Sequence, residues 1–371
     1  MTRAFFYTDQ YFAYDYGSSH PMRIERLRLT YDLCRAYGVL PLPEADLIES
    51  RPAAESEILD FHTAKYVDAI KRASRGETQW DFDHGIGPGD NPVFPGMWEW
   101  SLLSTGASLQ GAQRVADGKA RIAFNIAGGL HHAVASRASG FCYVNDAVLA
   151  ILHFVNQGKR VMYLDIDAHH GDGVQWAFYE DPRVLTVSFH QDGRTLFPGT
   201  GGLAETGKGE GAGYAVNVPM LPGADDHVFW KGFESVVPHL MEAFRPDVVV
   251  SQLGVDSFLD DPLASLELTT HGFIKAIAYL TEEAPAWVAL GGGGYNPANA
   301  ARAWTLAWAT MNRVELPNEL PEQMRDPLTE QGDRAGKLRD DEHASAMRDP
   351  CLEQMKRCVG YLEEHVFPKI L

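Results

Sequence analysis

The chain reads as an α/β protein built on a doubly wound parallel sheet. Short apolar runs rich in β-branched residues recur, helical patterns fall between them, and the segments after the runs gather glycine, histidine and aspartate. Near-continuous apolar runs mark parallel strands buried on both faces, and strand alternating with helix is the βαβ rhythm. The composition allows such a core, since 371 residues with 45% hydrophobic and 22% charged is ordinary for a folded globular chain.

Taken in order, the strand candidates are RIAFN at 121, RVMYLDI at 160, RVLTVSFH at 183, YAVNV at 214, DVVVSQL at 247 and AWVALGG at 286. The helix candidates are 145–157, closed by Gly158, then 225–244, 270–283 and 297–311. Two Gly-, Asp- and Pro-rich stretches, 75–97 and 191–213, are too long for simple connections and read as functional rims. No repeat or low-complexity linker divides residues 1–315, which read as one three-layer αβα domain. Residues 316–371 lose the strand pattern and become charged, and they read as a mostly helical extension packed on the same domain.

Charge and cysteine content narrow the function. With 32 Lys and Arg against 50 Asp and Glu the net charge is −18, the wrong sign for a protein held by phosphate backbones, so no direct nucleic-acid partner is expected. Cys34, Cys142, Cys351 and Cys358 form no C-x-x-C pair, which fits a reducing compartment. The N-terminal segment lacks the apolar core of a signal peptide and no run approaches a membrane span, so a cytoplasmic location is expected. Oligomeric state is left open.

In open parallel sheets, ligands sit beyond the carboxyl ends of the strands. Six of the fourteen histidines, His131, His132, His153, His169, His170 and His190, fall between positions 131 and 190, mostly in such loops. If Asp165–His169 continues extended, Asp165, Asp167 and His169 share a face, and Asp167 with His169 converge. Asp256, in LGVDS after another strand, supplies a third ligand. Two carboxylates and an imidazole, with one position left open, suit a catalytic divalent ion of the zinc type. A D-x-D alone could be a helix cap beside a core histidine; several loops together make a site. His131 and His132 titrate near neutrality and suit proton transfer, with Asp165 and Asp172 available to orient them. Tyr295 follows Gly291–Gly294, and a mobile glycine loop could swing its phenol in as an oxyanion donor.

These strings, in this order, resemble the zinc-dependent histone deacetylase and acetoin-utilisation deacetylase family, with the arginase–deacetylase fold: HPMRIERLR at 20, GGLHHA at 128, GFCYVNDAVLAILHF at 140, LDIDAHHGDGVQWAFY at 164, VLTVSFH at 184, FPGTGGLAETGKGEGAGYAVNVP at 197, QLGVDS at 252 and LGGGGYNPANAARAWT at 290. The likeness runs from about Tyr7 to Val314 and is strongest to the class I branch. It implies an eight-stranded parallel sheet, and hydrolysis of Nε-acetyl-lysine in a protein or peptide to lysine and acetate. It implies zinc, or iron, on Asp167, His169 and Asp256. His132 becomes the general base and acid, paired with Asp172, while His131, paired with Asp165, acts electrostatically, and Tyr295 binds the carbonyl oxygen. Phe141, Phe197 and Gly140 line a tunnel for the lysine methylenes, Asp90 grips substrate amides, and Arg26 lies on an exit path for acetate. One structural potassium takes Asp165, Asp167, His169, Ser188 and Phe189; a second takes Phe178, Asp181, Val184 and Tyr214.

Two positions depart from the family's usual pattern. Leu130 stands where the class I branch usually carries tryptophan, and Leu263 lines the mouth where polyamine-specific relatives can carry glutamate. Leu263 favours acyl-lysine over a cationic acetylpolyamine. An acetylpolyamine or other small-amide deacylase remains the alternative, and a non-catalytic acyl-lysine binding module is less favoured because no ligand, His132 or Tyr295 is missing. An arginase-like ureohydrolase would need D-A-H-x-D, where this chain has D-A-H-H-G-D. Cys142 reads as a small buried residue.

Overall fold

The computed structural model describes residues 2–333 and 336–370, so Arg334 and Ala335 in the charged extension lie outside the described residues. The strands are β1 (Arg3–Tyr7), β2 (Ala45–Glu49), β3 (Ile122–Asn125), β4 (Val161–Asp165), β5 (Val184–Gln191), β6 (Ala215–Met220), β7 (Val248–Gln252) and β8 (Trp287–Leu290). They form one eight-stranded sheet in the order β2-β1-β3-β8-β7-β4-β5-β6, with every pair parallel. The helices are α1 (Glu25–Ala36), α2 (Glu55–Ile58), α3 (Ala64–Ser74), α4 (Met97–Ala116), α5 (Asp146–Val155), α6 (Asp172–Ala177), α7 (Asp226–Phe244), α8 (Thr270–Glu283), α9 (Pro297–Met311), α10 (Glu322–Glu330) and α11 (Arg348–His365).

Alternation along each strand divides the core into two layers. Val161 and Tyr163 of β4, Val248 and Val250 of β7, and Val288 and Leu290 of β8 pack with residues of α4 and α5. Met162 and Leu164, Val249, and Trp287 and Ala289 face the opposite layer with α1, α7, α8 and α9. Period-two side-chain direction and burial on both faces therefore give the three-layer αβα arrangement. All six strands from β3 to β8 match the apolar runs, and the helices at 270–283 and 297–311 match to the residue.

The chain passes from β3 to β4, builds outward through β5 and β6, and returns to fill the gap with β7 and β8. This order puts four motif-bearing loops side by side. Asn125 pairs with Leu290, Leu290 with Gln252, and Gln252 with Asp165, so β3, β8, β7 and β4 all end in one row. Beyond that row stand His131 and His132, Tyr295, Asp256, and Asp167 with His169. The topology thus brings together residues up to 164 positions apart, from His131 to Tyr295.

The segment from 316 onward contributes Leu316, Leu328, Cys351, Met355 and Leu362 to the larger core cluster. Helix α11 packs on α7 and along β6, where Gln354 Nε2 donates to Pro219 O at 2.6 Å. It covers the edge strand of the sheet, which otherwise presents unpaired backbone groups.

Candidate active site

Strand β4 ends at Asp165, and residues 167–169 are bends, so the extended path expected for Asp165–His169 is not what converges the side chains. Hydrogen bonds fold them together instead. The Asp167 N–H donates to Asp165 Oδ1 (3.1 Å), and the His169 N–H to Asp167 Oδ1 (2.9 Å). Asp256 arrives from the loop after β7, where Oδ1 accepts the Ala168 N–H (2.8 Å) and Oδ2 lies 2.9 Å from His169 Nδ1. One ligand atom from each of Asp167, His169 and Asp256 lies within 4.8 Å of the others, and all three residues are buried. His170 points away, toward Thr200 Oγ1 at 2.8 Å.

The donor chemistry of this trio fits a divalent cation. Two carboxylates meet in a buried space, and burial together with the charge of Asp167 pushes Asp256 up to about 6. Burial also works against Asp167, but His131 and His169 outweigh it and hold that carboxyl well below its usual range. Like charges buried together are costly without a cation between them. Gln252 Nε2 (2.5 Å) and the Gly293 N–H (2.8 Å) orient Asp167 Oδ2 from behind.

The two histidines are set by three carboxylates. Buried Asp146 accepts the N–H groups of Gly129 and Leu130, the latter at 2.8 Å, and anchors the turn before His131. A Cβ on Gly128 would lie 2.3 Å from Asp146 Oδ2, so only glycine permits this approach. His131 Nδ1 is 2.7 Å from Asp165 Oδ2, which also accepts the Tyr163 hydroxyl (2.6 Å). His132 Nδ1 is 2.7 Å from Asp172 Oδ1 in the first turn of α6, and the two Nε2 atoms face each other at 3.0 Å. Burial opposes protonation of His131, but Asp165 and Asp167 outweigh it and raise its pKa to about 9. Burial and the neighbouring His131 charge lower His132 to about 4, against the pull of Asp172. At neutral pH the pair is therefore split into a cation and a neutral acceptor, the division of roles that proton transfer needs.

Above these groups lies a narrow cavity of about 200 Å³, lined by Asp90, His132, Gly140, Phe141, His169, Leu196, Phe197, Leu263 and Tyr295. Larger clefts of about 560 and 980 Å³ open elsewhere, and neither touches the acidic trio or the paired histidines. The Phe197 ring meets His132 edge-on at 5.0 Å, and Phe141 meets Tyr295 at 5.6 Å. Gly140 has φ +51°, and a Cβ there would fall 2.3 Å from His132 Cδ2. Both long rims contribute to the lining, with Asp90 from one and Leu196 and Phe197 from the other.

The glycine run before Tyr295 is closely packed in this structure. Gly291–Gly294 are buried, and a Cβ on Gly293 would lie 2.1 Å from Asp256 Oδ2, so these glycines let the backbone pack against the acidic trio. The Tyr295 N–H is tied to Asp261 Oδ2 at 2.7 Å. Burial and the charges of Asp256 and Asp167 keep its phenol well above the usual range, hence protonated.

Arg26 is buried behind the site, donating to Gly294 O at 3.0 Å with its guanidinium 5.1 Å from the Trp304 ring centroid. Ser188 sits opposite Asp165 in the β4–β5 register, next to Phe189, and its hydroxyl bonds His190 Nδ1 at 2.8 Å. Phe178, Asp181 and Val184 form one turn, through Asp181 N–H to Phe178 O (3.0 Å) and Val184 N–H to Asp181 O (3.2 Å), and Tyr214 O accepts from Thr186 beside it. Cys142 is buried with its Sγ 3.2 Å from Gly140 O, packed with Leu130 and Ala133.

Four residues near the site had no role from sequence. Asp146 and Gln252 fall inside strings already noted, Asp261 falls in the adjoining DDPLASL segment, and His20 opens another string. His20 accepts the Met22 N–H on Nδ1, directs Nε2 at Asp90 O (3.3 Å) and meets Phe141 edge-on at 4.5 Å.

Residues 20–311 match the family model described as "Histone deacetylase domain". The chain is similar to Histone deacetylase RPD3 of Saccharomyces cerevisiae, at 40% identity over 322 residues, covering 86% of this chain and 73% of that one. It is similar to Histone deacetylase B of Dictyostelium discoideum, at 42% over 323 residues, 86% of this chain and 76% of that one. Among solved structures it is similar to an HDAC homolog from Aquifex aeolicus, with a TM-score of 0.89 and 35% identity, covering 97% of this chain and 100% of the other.

Proposed function

Because the chain belongs to the histone deacetylase domain family, we propose that it hydrolyses the amide of an Nε-acetyl-lysine in a protein or peptide, releasing lysine and acetate. The observation that carries this reading is the split histidine pair beside the buried acidic trio, at the foot of a narrow channel walled by Phe141 and Phe197. A channel of about 200 Å³ walled by aromatic rings suits a slender alkyl stem, and it brings the acyl carbonyl to the foot of the channel, where His132, His169 and Tyr295 form part of the lining.

Asp167, His169 and Asp256 would hold one divalent ion, zinc or iron. When bound, that ion supplies Lewis-acid polarisation of the carbonyl and lowers the pKa of water. The remaining steps belong to the chain itself. His132, neutral and oriented by Asp172, accepts the proton of the attacking water. The Tyr295 hydroxyl donates a hydrogen bond to the oxygen that becomes negative as the tetrahedral carbon forms. His132 then returns the proton to the leaving nitrogen as the C–N bond breaks, while His131, held as a cation by Asp165, stabilises the charge that develops nearby. Asp90 at the mouth takes substrate backbone amides, Arg26 lies on the acetate path, and the residues about Ser188 and about Asp181 would each hold a structural potassium ion. The enzyme works in the cytoplasm, in keeping with four free buried cysteines.

Tyr295→Phe is expected to lose about 10²–10³ in kcat with its metal content unchanged, as for other lost oxyanion donors. Near-normal turnover would remove Tyr295 from the mechanism. Gly140→Ala pushes a methyl into the His132 ring and should lower kcat by roughly 10-fold or more with the fold intact, since displacements near 1 Å cost about 10²-fold; steady-state kinetics and a melting curve check it. The substrate class is read from kcat/KM for acetyl-lysine peptides, longer acyl-lysines and acetylspermidine. Apolar Leu263 at the mouth predicts the peptides to lead, and a lead for acetylspermidine would move the substrate to the polyamines.

A further inference from the structure

Asp261 lies in the loop after β7, is 7% exposed, and has no contact with the acidic trio among the hydrogen bonds described. Its two oxygens do separate things. Oδ2 accepts the N–H of Tyr295 at 2.7 Å, and Oδ1 accepts the N–H of Leu263 at 2.9 Å. Its own N–H donates to Phe258 O at 3.0 Å, and the Phe258 N–H to Val255 O at 3.2 Å, which fastens the turn to the loop carrying Asp256. Tyr295 is preceded by four glycines, which offer no side chain to locate it, and its ring meets Phe141 and His169 edge-on.

We propose that Asp261 is a positioning residue that ties the substrate mouth to the oxyanion donor, one carboxylate holding Leu263 and Tyr295 together. This rests on the deacetylase reading above. Burial and the charge of Asp256 push the Asp261 carboxyl up to about 8, so the tie rests on geometry: two N–H donors on the two oxygens of one buried carboxyl group fix both distance and direction. A side chain entering the mouth and displacing Leu263 therefore bears on the Tyr295 backbone through a single rigid group, so filling the mouth and aligning the phenol are linked events.

Asp261→Asn preserves shape but offers one acceptor oxygen and one NH₂ donor, so only one of the two N–H groups can be accepted. Its kcat on an acetyl-lysine peptide is expected to fall roughly 10–100-fold, the scale of a small misplacement of a reacting group, with a few-fold rise in KM and with metal content and melting temperature near wild type. The deciding comparison is with Tyr295→Phe. Once the phenol hydroxyl is gone its alignment no longer matters, so Asp261→Asn added to Tyr295→Phe should change kcat by no more than about two-fold, the size of ordinary additivity error. A packing role alone would multiply the two losses, and that result, or an undiminished kcat in Asp261→Asn, overturns the proposal. If Asp261→Asn fails to fold, Asp261→Glu, which keeps the carboxylate one methylene further out, is read through the same cycle. A wild-type enzyme that hydrolyses no acyl-lysine amide overturns both this proposal and the function it rests on; an active wild type with multiplying losses overturns the positioning role alone.

Discussion

Purified Asp256→Asn is expected to lose its divalent metal and all measurable deacetylation while keeping its fold. Asp256 gives one of three protein ligand atoms, and its second oxygen accepts the Ala168 N–H that holds the turn between Asp167 and His169. Removing groups that merely orient a ligand costs about 10–100-fold in metal affinity, so losing a ligand itself costs more. The metal-free fold should nonetheless survive. Burial and the Asp167 charge disfavour an ionised Asp256, and asparagine removes that charge without changing shape. The clearest readout is thermal. Zinc should raise the melting temperature of the metal-free wild type by mass action and leave that of the variant unmoved. A variant that binds one equivalent of zinc, or one that gains the same thermal shift, would remove Asp256 from the ligand set.

The parts of this site that were legible in the sequence are those whose chemistry is local. D-x-D-x-H, the tandem histidines and the Gly-rich Tyr295 turn each announce themselves within a few residues, and each follows an apolar run that becomes a central strand. The expected pairings of His131 with Asp165 and of His132 with Asp172 appear at 2.7 Å each. What was illegible depends on long-range approach. Asp146 and Asp261 are ordinary carboxylates until the fold turns them onto the backbone of the catalytic turns, and no spacing rule marks a side chain that serves N–H groups 16 or 34 positions away. The glycine run is ambiguous in sequence for the same reason: freedom to move and freedom to pack closely require the same residue.

The fold divides along similar lines. The six strands read from β-branched runs, β3 to β8, are buried at every position. The other two, β1 and β2, came only from the family resemblance, because RAFFY is aromatic and lies at the chain start, and ADLIE alternates between buried and exposed as an edge strand does. The 20-residue helix α4 passed unread because its buried face is made largely of serine, threonine, glycine and alanine. Small residues let it sit close to the sheet but carry little hydrophobic periodicity.

His132→Ala is expected to lower kcat by about 10²–10⁴, the usual range for a positioned general base, with metal retained. The sharper test of the histidine division is His131→Asn. His132 is faced by His131, Asp172 and His169, and after burial itself the His131 cation is the largest influence lowering its pKa to about 4. A base works only when deprotonated, so kcat/KM should rise with pH through the His132 value. Taking away the neighbouring cation removes a depressing charge, while Asp172 still pulls upward, so the acidic limb of the profile should move to higher pH. It should also lose the alkaline limb that His131, with its pKa raised to about 9, contributes in the wild type. A His131→Asn profile whose acidic limb stays in place, or moves to lower pH, would mean that the proton acceptor is not held neutral by its partner. A greater loss in kcat for His131→Asn than for His132→Ala would instead make His131 the base.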